Sequence, residues 1–265
     1  MIRRAIILAA GRGARLSPHT DDRPKCLLQL GAGTLLSRQF DACMAVGIDD
    51  IVVITGYEFG MMEDEIARWL RDSGASATVS TVYNPYFATT NNMFSLWVAR
   101  HRMDADFVVL NADNVFPNET LRRIVQHGQH PILVPVAQRP KYDAEDMKVR
   151  IVDGRITAIA KTIPLGEASG ESLGIRAFSG VGRTLLMDEL EAMGRDSDPA
   201  TAWYITAVER IAQRGGPVGV LFLDSDACMD VDFEQDLERA RREFGAPPAE
   251  AEGSKPRLDS PKVPA

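Results

Sequence analysis

Cysteine is scarce: Cys26, Cys43 and Cys228 are spread over 265 residues, are odd in number and show no C-x-x-C spacing. That excludes a disulfide framework and a paired-cysteine zinc site, and it fits a reducing compartment. No run of about 18 apolar residues occurs, so the sequence offers no membrane span. A basic stripe is also lacking. Acidic residues outnumber basic ones 37 to 30, for a formal charge of −7, which argues against nucleic acid as a partner. The basic pair Arg3 and Arg4 precedes an apolar run, Ala5 to Ala10, too short for a signal h-region. A cytoplasmic protein with no membrane partner is expected.

What is present is an ordinary globular composition, 45% hydrophobic and 25% charged, enough to bury a sizeable core. Short β-rich runs alternate with helical patterns. Strands are predicted at Ala5 to Leu8, Ile51 to Thr55, Ala77 to Tyr83, Phe107 to Leu110 and Ile132 to Val136. Apolar residues at helical spacing predict helices at Leu35 to Ala45, Met62 to Leu70, Met93 to His101 and Glu119 to Gln126. This is an α/β pattern with a mixed, mostly parallel central sheet flanked by helices.

The pattern then changes. Met147 to Val152 and Ile156 to Ala160 flank Asp153-Gly154, a strong type I′ hairpin signal, so a small β-hairpin insertion is expected. A strand at Gly174 to Ser179, helices at Thr184 to Met193 and Ala202 to Gln213, a strand at Val218 to Leu223 and a helix at Phe233 to Phe244 follow. No linker divides residues 1–245, which are read as one domain. Residues 246–265 hold five of the fifteen prolines and almost nothing apolar, and are expected to be disordered.

The most informative stretch is the one after the first strand, Leu8-Ala9-Ala10-Gly11-Arg12-Gly13-Ala14-Arg15-Leu16, continuing to Pro24-Lys25. A Gly-rich turn after a buried strand lets backbone N–H groups approach phosphate oxygens. Two well-known phosphate loops fail to match: Leu16 stands where G-x-G-x-x-G needs its third glycine, and G-x-x-x-x-G-K-[ST] is absent. What remains is a long excursion carrying two cations, Arg15 and Lys25, suited to a nucleoside triphosphate.

These residues resemble the signature of the nucleotidyltransferases that make sugar nucleotides and CDP-alcohols. Asn91-Asn92-Met93-Phe94-Ser95-Leu96, Asn111-Ala112-Asp113-Asn114 and Gly170-Glu171-Ser172-Leu173-Gly174-Ile175 are similar to segments of its phosphocholine cytidylyltransferase branch, of LicC type. With Asp230-Val231-Asp232, the resemblance covers about residues 2–244. It implies a Rossmann-like nucleotidyltransferase fold, CTP as donor, and Mg²⁺ held by Asp113 and Asp232. Spacing alone leaves Asp232 equally readable as a helix cap, and Asp230 is the alternative ligand.

The implied reaction is attack by a phosphate or phosphonate oxygen on the α-phosphorus of CTP, releasing pyrophosphate. Arg15 and Lys25 are the expected catalytic cations, and no general base is required. The nucleotide is expected against Leu8, Ala9, Ala10, Gly11 and Gly13, with Tyr57, Asn91 and Ser95 as polar contacts to the base. For the acceptor, Lys148 and Lys161 are candidate phosphate contacts. Glu171, Trp203 and Tyr204 are candidates for a cationic head group. The lysines and the two aromatics have a plain alternative, solvated surface for the former and helix core for the latter. Phosphocholine or an aminoalkylphosphonate is the leading acceptor class. A sugar 1-phosphate or inositol phosphate is the alternative, and an inactive nucleotide-binding scaffold is a third reading. The oligomeric state is open, a homodimer included.

Overall fold

A computed structural model describes residues 2–196 and 198–245; the Pro-rich tail lies outside the described residues. The first half of the chain forms strands β1 (Arg4–Leu8), β2 (Gln29–Leu30), β3 (Gly33–Thr34), β4 (Asp50–Thr55), β5 (Thr78–Tyr83), β6 (Phe107–Asn111) and β7 (Asn114–Val115). Helices α1 (Leu35–Ala45), α2 (Phe59–Ser73), α3 (Asn92–Val98) and α4 (Asn118–Gln126) connect them. The second half adds β8 (Ile132–Ala137), β9 (Lys148–Val152), β10 (Arg155–Ala160), β11 (Gly170–Ser172), β12 (Ile175–Phe178), β13 (Val218–Leu223) and β14 (Met229–Asp230). Its helices are α5 (Val181–Met193), α6 (Ile205–Gln213) and α7 (Glu234–Phe244).

The order β5-β4-β1-β6 is wholly parallel. Such strands need cover on both faces, and β1 shows it: Ala5 and Ile7 pack in one layer with Leu36, Phe40 and Leu121 of α1 and α4. Ile6 faces the other layer, with Met93, Leu96, Leu190 and Val208 of α3, α5 and α6. Beyond β6 the sheet turns antiparallel through β12 and β8, and β13 runs parallel to β8 on its other edge. The hairpin β9–β10 joins through β11. The expected mixed sheet flanked by helices is therefore present, as is the hairpin, whose turn residues Asp153 and Gly154 have φ of 50° and 73°, as a type I′ turn requires.

Helices α2 and α5 run about one turn beyond the expected bounds, and three other boundaries differ for local reasons. The third helix stops at Val98 and tightens into a 3₁₀ turn over Arg100–Arg102. Helix α6 starts at Ile205, because the carbonyls of Ala200 and Ala202 accept from Asn91 and Met93 N–H instead of continuing a helix. The strand expected over Gly174 to Ser179 is β12, which starts only at Ile175 because the Gly174 carbonyl accepts from Asn111 N–H at 2.9 Å; β11, before it, was not expected.

Two small pairings position the site. β7 pairs antiparallel with β14, setting Asn114 opposite Asp230. Leu237 and Ala240 of α7 pack with Leu16, Leu28 and Val231, which draws the chain's C-terminal helix against the loop that follows β1. Among the described residues, no helix is long and apolar enough to cross a membrane.

Candidate active site

The cleft opens at the carboxyl ends of β1 and β6, where open α/β sheets place ligands. Hydrogen bonds of sheet type continue past the strand ends: Ala9 N–H donates to Ile54 O at 3.0 Å, and Ala112 N–H to Leu8 O at 3.2 Å. The chain then leaves the sheet. Gly11 is exposed, and a Cβ added there would meet nothing within 4 Å, so its backbone faces open space. Gly13 is different: its φ is +78°, and a Cβ would lie 2.6 Å from Lys25 Cβ. Thr20 Oγ1 donates to Gly13 O at 2.9 Å, and buried Leu16 anchors the loop below.

The two ends of this loop supply the charges. Lys25 Nζ lies 2.8 Å from Asp113 Oδ2 and 2.8 Å from Asp232 Oδ1. Arg15 Nη2 is also 2.8 Å from Asp232 Oδ1. Burial by itself favours the neutral amine, but attraction to Asp113 and Asp232 outweighs it and holds the Lys25 ammonium above its ordinary range. Asp232 is partly buried, which would raise its pKa, yet Lys25 and Arg15 hold it below the usual carboxylate value.

The helix-cap alternative for Asp232 is not what the geometry shows. Asp236 Oδ2 accepts the N–H groups of Asp232 and Phe233 at 3.1 and 2.8 Å, leaving the Asp232 side chain turned toward Lys25. Asp230 instead accepts from the Asn114 side-chain amide. As a metal site the pair fits magnesium. Both carboxylates converge on the Lys25 ammonium at 2.8 Å, which sets two hard oxygen donors side by side. Magnesium takes one or two carboxylates and completes its shell with phosphate oxygens and water.

Of the expected nucleotide contacts, Leu8, Ala9, Ala10, Gly11, Gly13, Asn91 and Ser95 line one cleft together with Lys25, Asp113 and Trp203. Asn91 also caps α3, and Ser95 Oγ accepts from Asn84 at 3.0 Å. Tyr57 is not among the lining residues. Its hydroxyl donates to Asp21 O at 2.7 Å, bracing the first loop from outside. Sequence reasoning did not single out Phe87, Thr90, Asn92 and Asn111, which also line the cleft. Asn92 and Asn111 lie in the quoted segments Asn91 to Leu96 and Asn111 to Asn114, so a signal was there for both.

The acceptor candidates separate. Glu171 is buried, lies 2.9 Å from an Arg139 nitrogen and lines a cavity with Asp143, Asp146, Asp230 and Asp232. Burial, with Asp146 and Asp143 nearby and Arg139 opposing, pushes its carboxyl up to about 7. Trp203 is half-exposed at the cleft, with Lys161 Nζ 5.9 Å from its ring centroid. Lys161 is paired with Glu145 at 2.9 Å, and Glu145 also lies 3.8 Å from Arg15.

Two candidates point elsewhere. Lys148 is buried, and its ammonium donates to the carbonyls of Asp143 at 2.9 Å and Asp146 at 3.2 Å, tying its own loop together. Tyr204 is fully buried, with its hydroxyl on Arg176. Arg176 itself is buried; Tyr204 and Ser172 hydroxyls receive its N–H groups, and sequence reasoning did not single it out.

Residues 5–213 match the model of the MobA-like NTP transferase domain, and the chain belongs to that family. It is 34% identical over 114 residues to choline-phosphate cytidylyltransferase of Streptococcus pneumoniae, covering 42% of this chain and 44% of that protein. It is 31% identical over 121 residues to CMP-5'-(3-aminopropyl)phosphonate synthase of Streptomyces rubellomurinus, covering 46% of this chain and 19% of that protein. The chain thus spans less than half the length of these curated relatives. Among solved structures it is similar to CTP:phosphocholine cytidylyltransferase (LicC) of Streptococcus pneumoniae, with a TM-score of 0.68 and 21% identity over 91% of this chain and 99% of that one. At that identity the likeness is one of fold.

Proposed function

We propose that the protein is a Mg²⁺-dependent cytidylyltransferase that transfers CMP from CTP to a small phosphate or phosphonate acceptor of the phosphocholine or aminoalkylphosphonate type. The observation that carries this reading is the convergence of Lys25, Asp113, Asp232 and Arg15 at the mouth of one cleft floored by Leu8 to Gly13. A cleft that only held a nucleotide would have no physical need for two carboxylates locked onto the loop's lysine. The printed activities of the two curated relatives above support both the cytidylyl donor and the acceptor class.

In this reading an acceptor oxygen attacks the α-phosphorus of CTP. The new P–O bond forms as the bond from the α-phosphorus to the bridging oxygen breaks, and pyrophosphate leaves. The nucleophile is an anion at neutral pH, so no side chain has to remove a proton. Lys25 stays charged and Arg15 stands beside it; together they offset the repulsion between two anionic reactants and the charge that develops on the leaving group. Backbone N–H groups at Gly11 and Gly13 are free to approach phosphate oxygens. Bound Mg²⁺, held by Asp113 and Asp232, would screen the triphosphate and orient it. The carboxylates of Glu171, Asp143 and Asp146 favour an acceptor whose far end is cationic, and Trp203 offers it an aromatic face.

The deciding experiment is a pyrophosphate-release screen of the four nucleoside triphosphates against phosphocholine, phosphoethanolamine, 2-aminoethylphosphonate and several sugar phosphates. CTP with a cationic acceptor should give the highest kcat/KM. Preference for a sugar 1-phosphate or inositol phosphate would transfer the assignment to the neutral-polyol class. No turnover with any pair, alongside intact nucleotide binding, would favour the scaffold.

A further inference from the structure

Gln39 lies in the middle of α1, on the face that packs against the sheet, and is 2% exposed. Its Nε2 donates two hydrogen bonds, to Asn111 O at 2.8 Å and to Asn114 O at 2.9 Å. The amide orientation is chemically forced, because both neighbours are carbonyl oxygens and can only accept. These two carbonyls bracket Asp113. The carbonyl of Asp113 accepts from Val231 N–H at 3.0 Å, and Asn114 donates to Asp113 Oδ1 at 3.3 Å. The turn carrying the carboxylate is therefore gripped from α1 on one side and from the segment before α7 on the other.

A role in holding the helix alone does not account for a glutamine here. Leu36, Phe40 and Cys43 on the same helix are fully buried and dock it to the sheet. Gln39 Oε1, in contrast, is buried with no hydrogen-bond partner, a cost that a leucine or methionine would avoid. What the polar side chain offers in return is the pair of bonds to the residues around Asp113.

We propose that Gln39 is a positioning residue: through Asn111 O and Asn114 O it fixes the turn that presents Asp113 to the divalent cation. This rests on the reading of Asp113 as a metal ligand. Groups outside the coordination shell that orient a ligand commonly change metal affinity by 10- to 100-fold when lost. A helix that merely packs would change stability instead.

The test measures Mn²⁺ binding to the protein–CTP complex, by electron paramagnetic resonance of free Mn²⁺, in wild type, Gln39→Met and Asp113→Asn, with thermal melts of each. The expected result for Gln39→Met is a rise of about tenfold or more in the apparent Mn²⁺ dissociation constant. The Mg²⁺ concentration for half-maximal turnover should rise in step, while KM for the acceptor stays within about twofold. Should Gln39→Met fail to fold, Gln39→Asn, which keeps the amide but withdraws it by one methylene, is read the same way and should show the same rise. Unchanged Mn²⁺ affinity in the Gln39 variant, with affinity lost in Asp113→Asn, overturns the role of Gln39 alone. Unchanged affinity in Asp113→Asn overturns the metal reading beneath it.

Discussion

The Lys25 ammonium and the Asp113 carboxylate, 88 residues apart in the chain, meet at 2.8 Å at the mouth of the cleft. The same nitrogen meets Asp232 at 2.8 Å, so the end of the first loop and both carboxylates share one point. Removing the cation leaves two partly buried carboxylates facing each other. Lys25→Met should lower kcat by about two to three orders of magnitude, the scale of a lost electrostatic stabiliser. Its melting temperature should recover with added Mg²⁺ by more than the wild type gains. Steady-state kinetics and thermal melts with and without Mg²⁺ check this; a melt insensitive to Mg²⁺ would remove the metal from this point.

Gly11 and Gly13 are two residues apart yet answer to different constraints. A Cβ at Gly11 meets open space, whereas one at Gly13 meets Lys25 Cβ at 2.6 Å and needs a φ of +78°. Gly13→Ala should therefore destabilise the fold by about 1 to 2 kcal/mol and displace Lys25. Gly11→Ala should leave stability within about 0.5 kcal/mol but raise KM for CTP, because the proposed function brings phosphate oxygens into that open space. Denaturant melts and CTP titrations of both variants decide it, and equal KM for Gly11→Ala and wild type would place the phosphates elsewhere.

How much of this was legible depended on whether a feature carries a period or a turn signature. The parallel strands announce themselves as apolar runs, and Asp153-Gly154 as a hairpin turn. The pairing of β7 with β14 was invisible, because two-residue strands such as Asn114–Val115 have no periodicity to read. Yet it is this pairing that separates Asp230 from Asp232. Lys148 and Tyr204 show the other limit: residue type pointed to the site, but the fold of the loop at Asp143 and the late start of α6 turned both side chains inward. Gln39 was overlooked because a polar residue on an apolar helix face looks like a gap in the stripe.

Glu171 supplies a pH test. Its carboxyl is raised to about 7 by burial first, with Asp146 and Asp143 adding to it, against about 4.3 in an unfolded chain. A raised folded-state value means that the native protein binds the extra proton between those limits. The associated stability is present at low pH and is lost as pH rises through 7. Glu171→Gln should thus exceed wild type in stability at pH 8, by about 1 to 3 kcal/mol, and the gap should close toward pH 5. Urea melts across that range measure it. A cationic acceptor favours the ionised form, so its KM in wild type should rise as pH falls below about 7.

Truncation after Gly245 removes only residues outside the described structure. Residues 1–245 are proposed as one catalytic unit, and the composition of residues 246–265 predicts no contribution to its core. Melting temperature and kcat should both be unchanged in the truncated protein. A fall in either would assign the tail a contact with the cleft or with a second subunit.

Trp203 and Tyr204 are adjacent in sequence but opposite in placement. Trp203 is 44% exposed at the cleft while Tyr204 is 1% exposed against Arg176. A desolvated cation–π contact is worth about 2 kcal/mol, so Trp203→Leu should lower kcat/KM for a cationic acceptor about tenfold or more, with little change in KM for CTP. Lys161, 5.9 Å above the same ring, already occupies that face, and Glu145 holds it there at 2.9 Å. A cationic head group therefore has to displace Lys161 or use the other face. Lys161→Met should lower KM for the cationic acceptor if displacement is required, and raise it if Lys161 instead holds the acceptor's phosphate. Tyr204→Phe should behave differently from both: it removes the hydroxyl that receives Arg176, leaving Ser172 at 2.7 Å as the remaining side-chain partner. The loss should appear as about 1 to 3 kcal/mol of stability and little in acceptor preference. Comparable losses of kcat/KM in Trp203→Leu for phosphocholine and for a sugar 1-phosphate would remove the aromatic face from acceptor recognition.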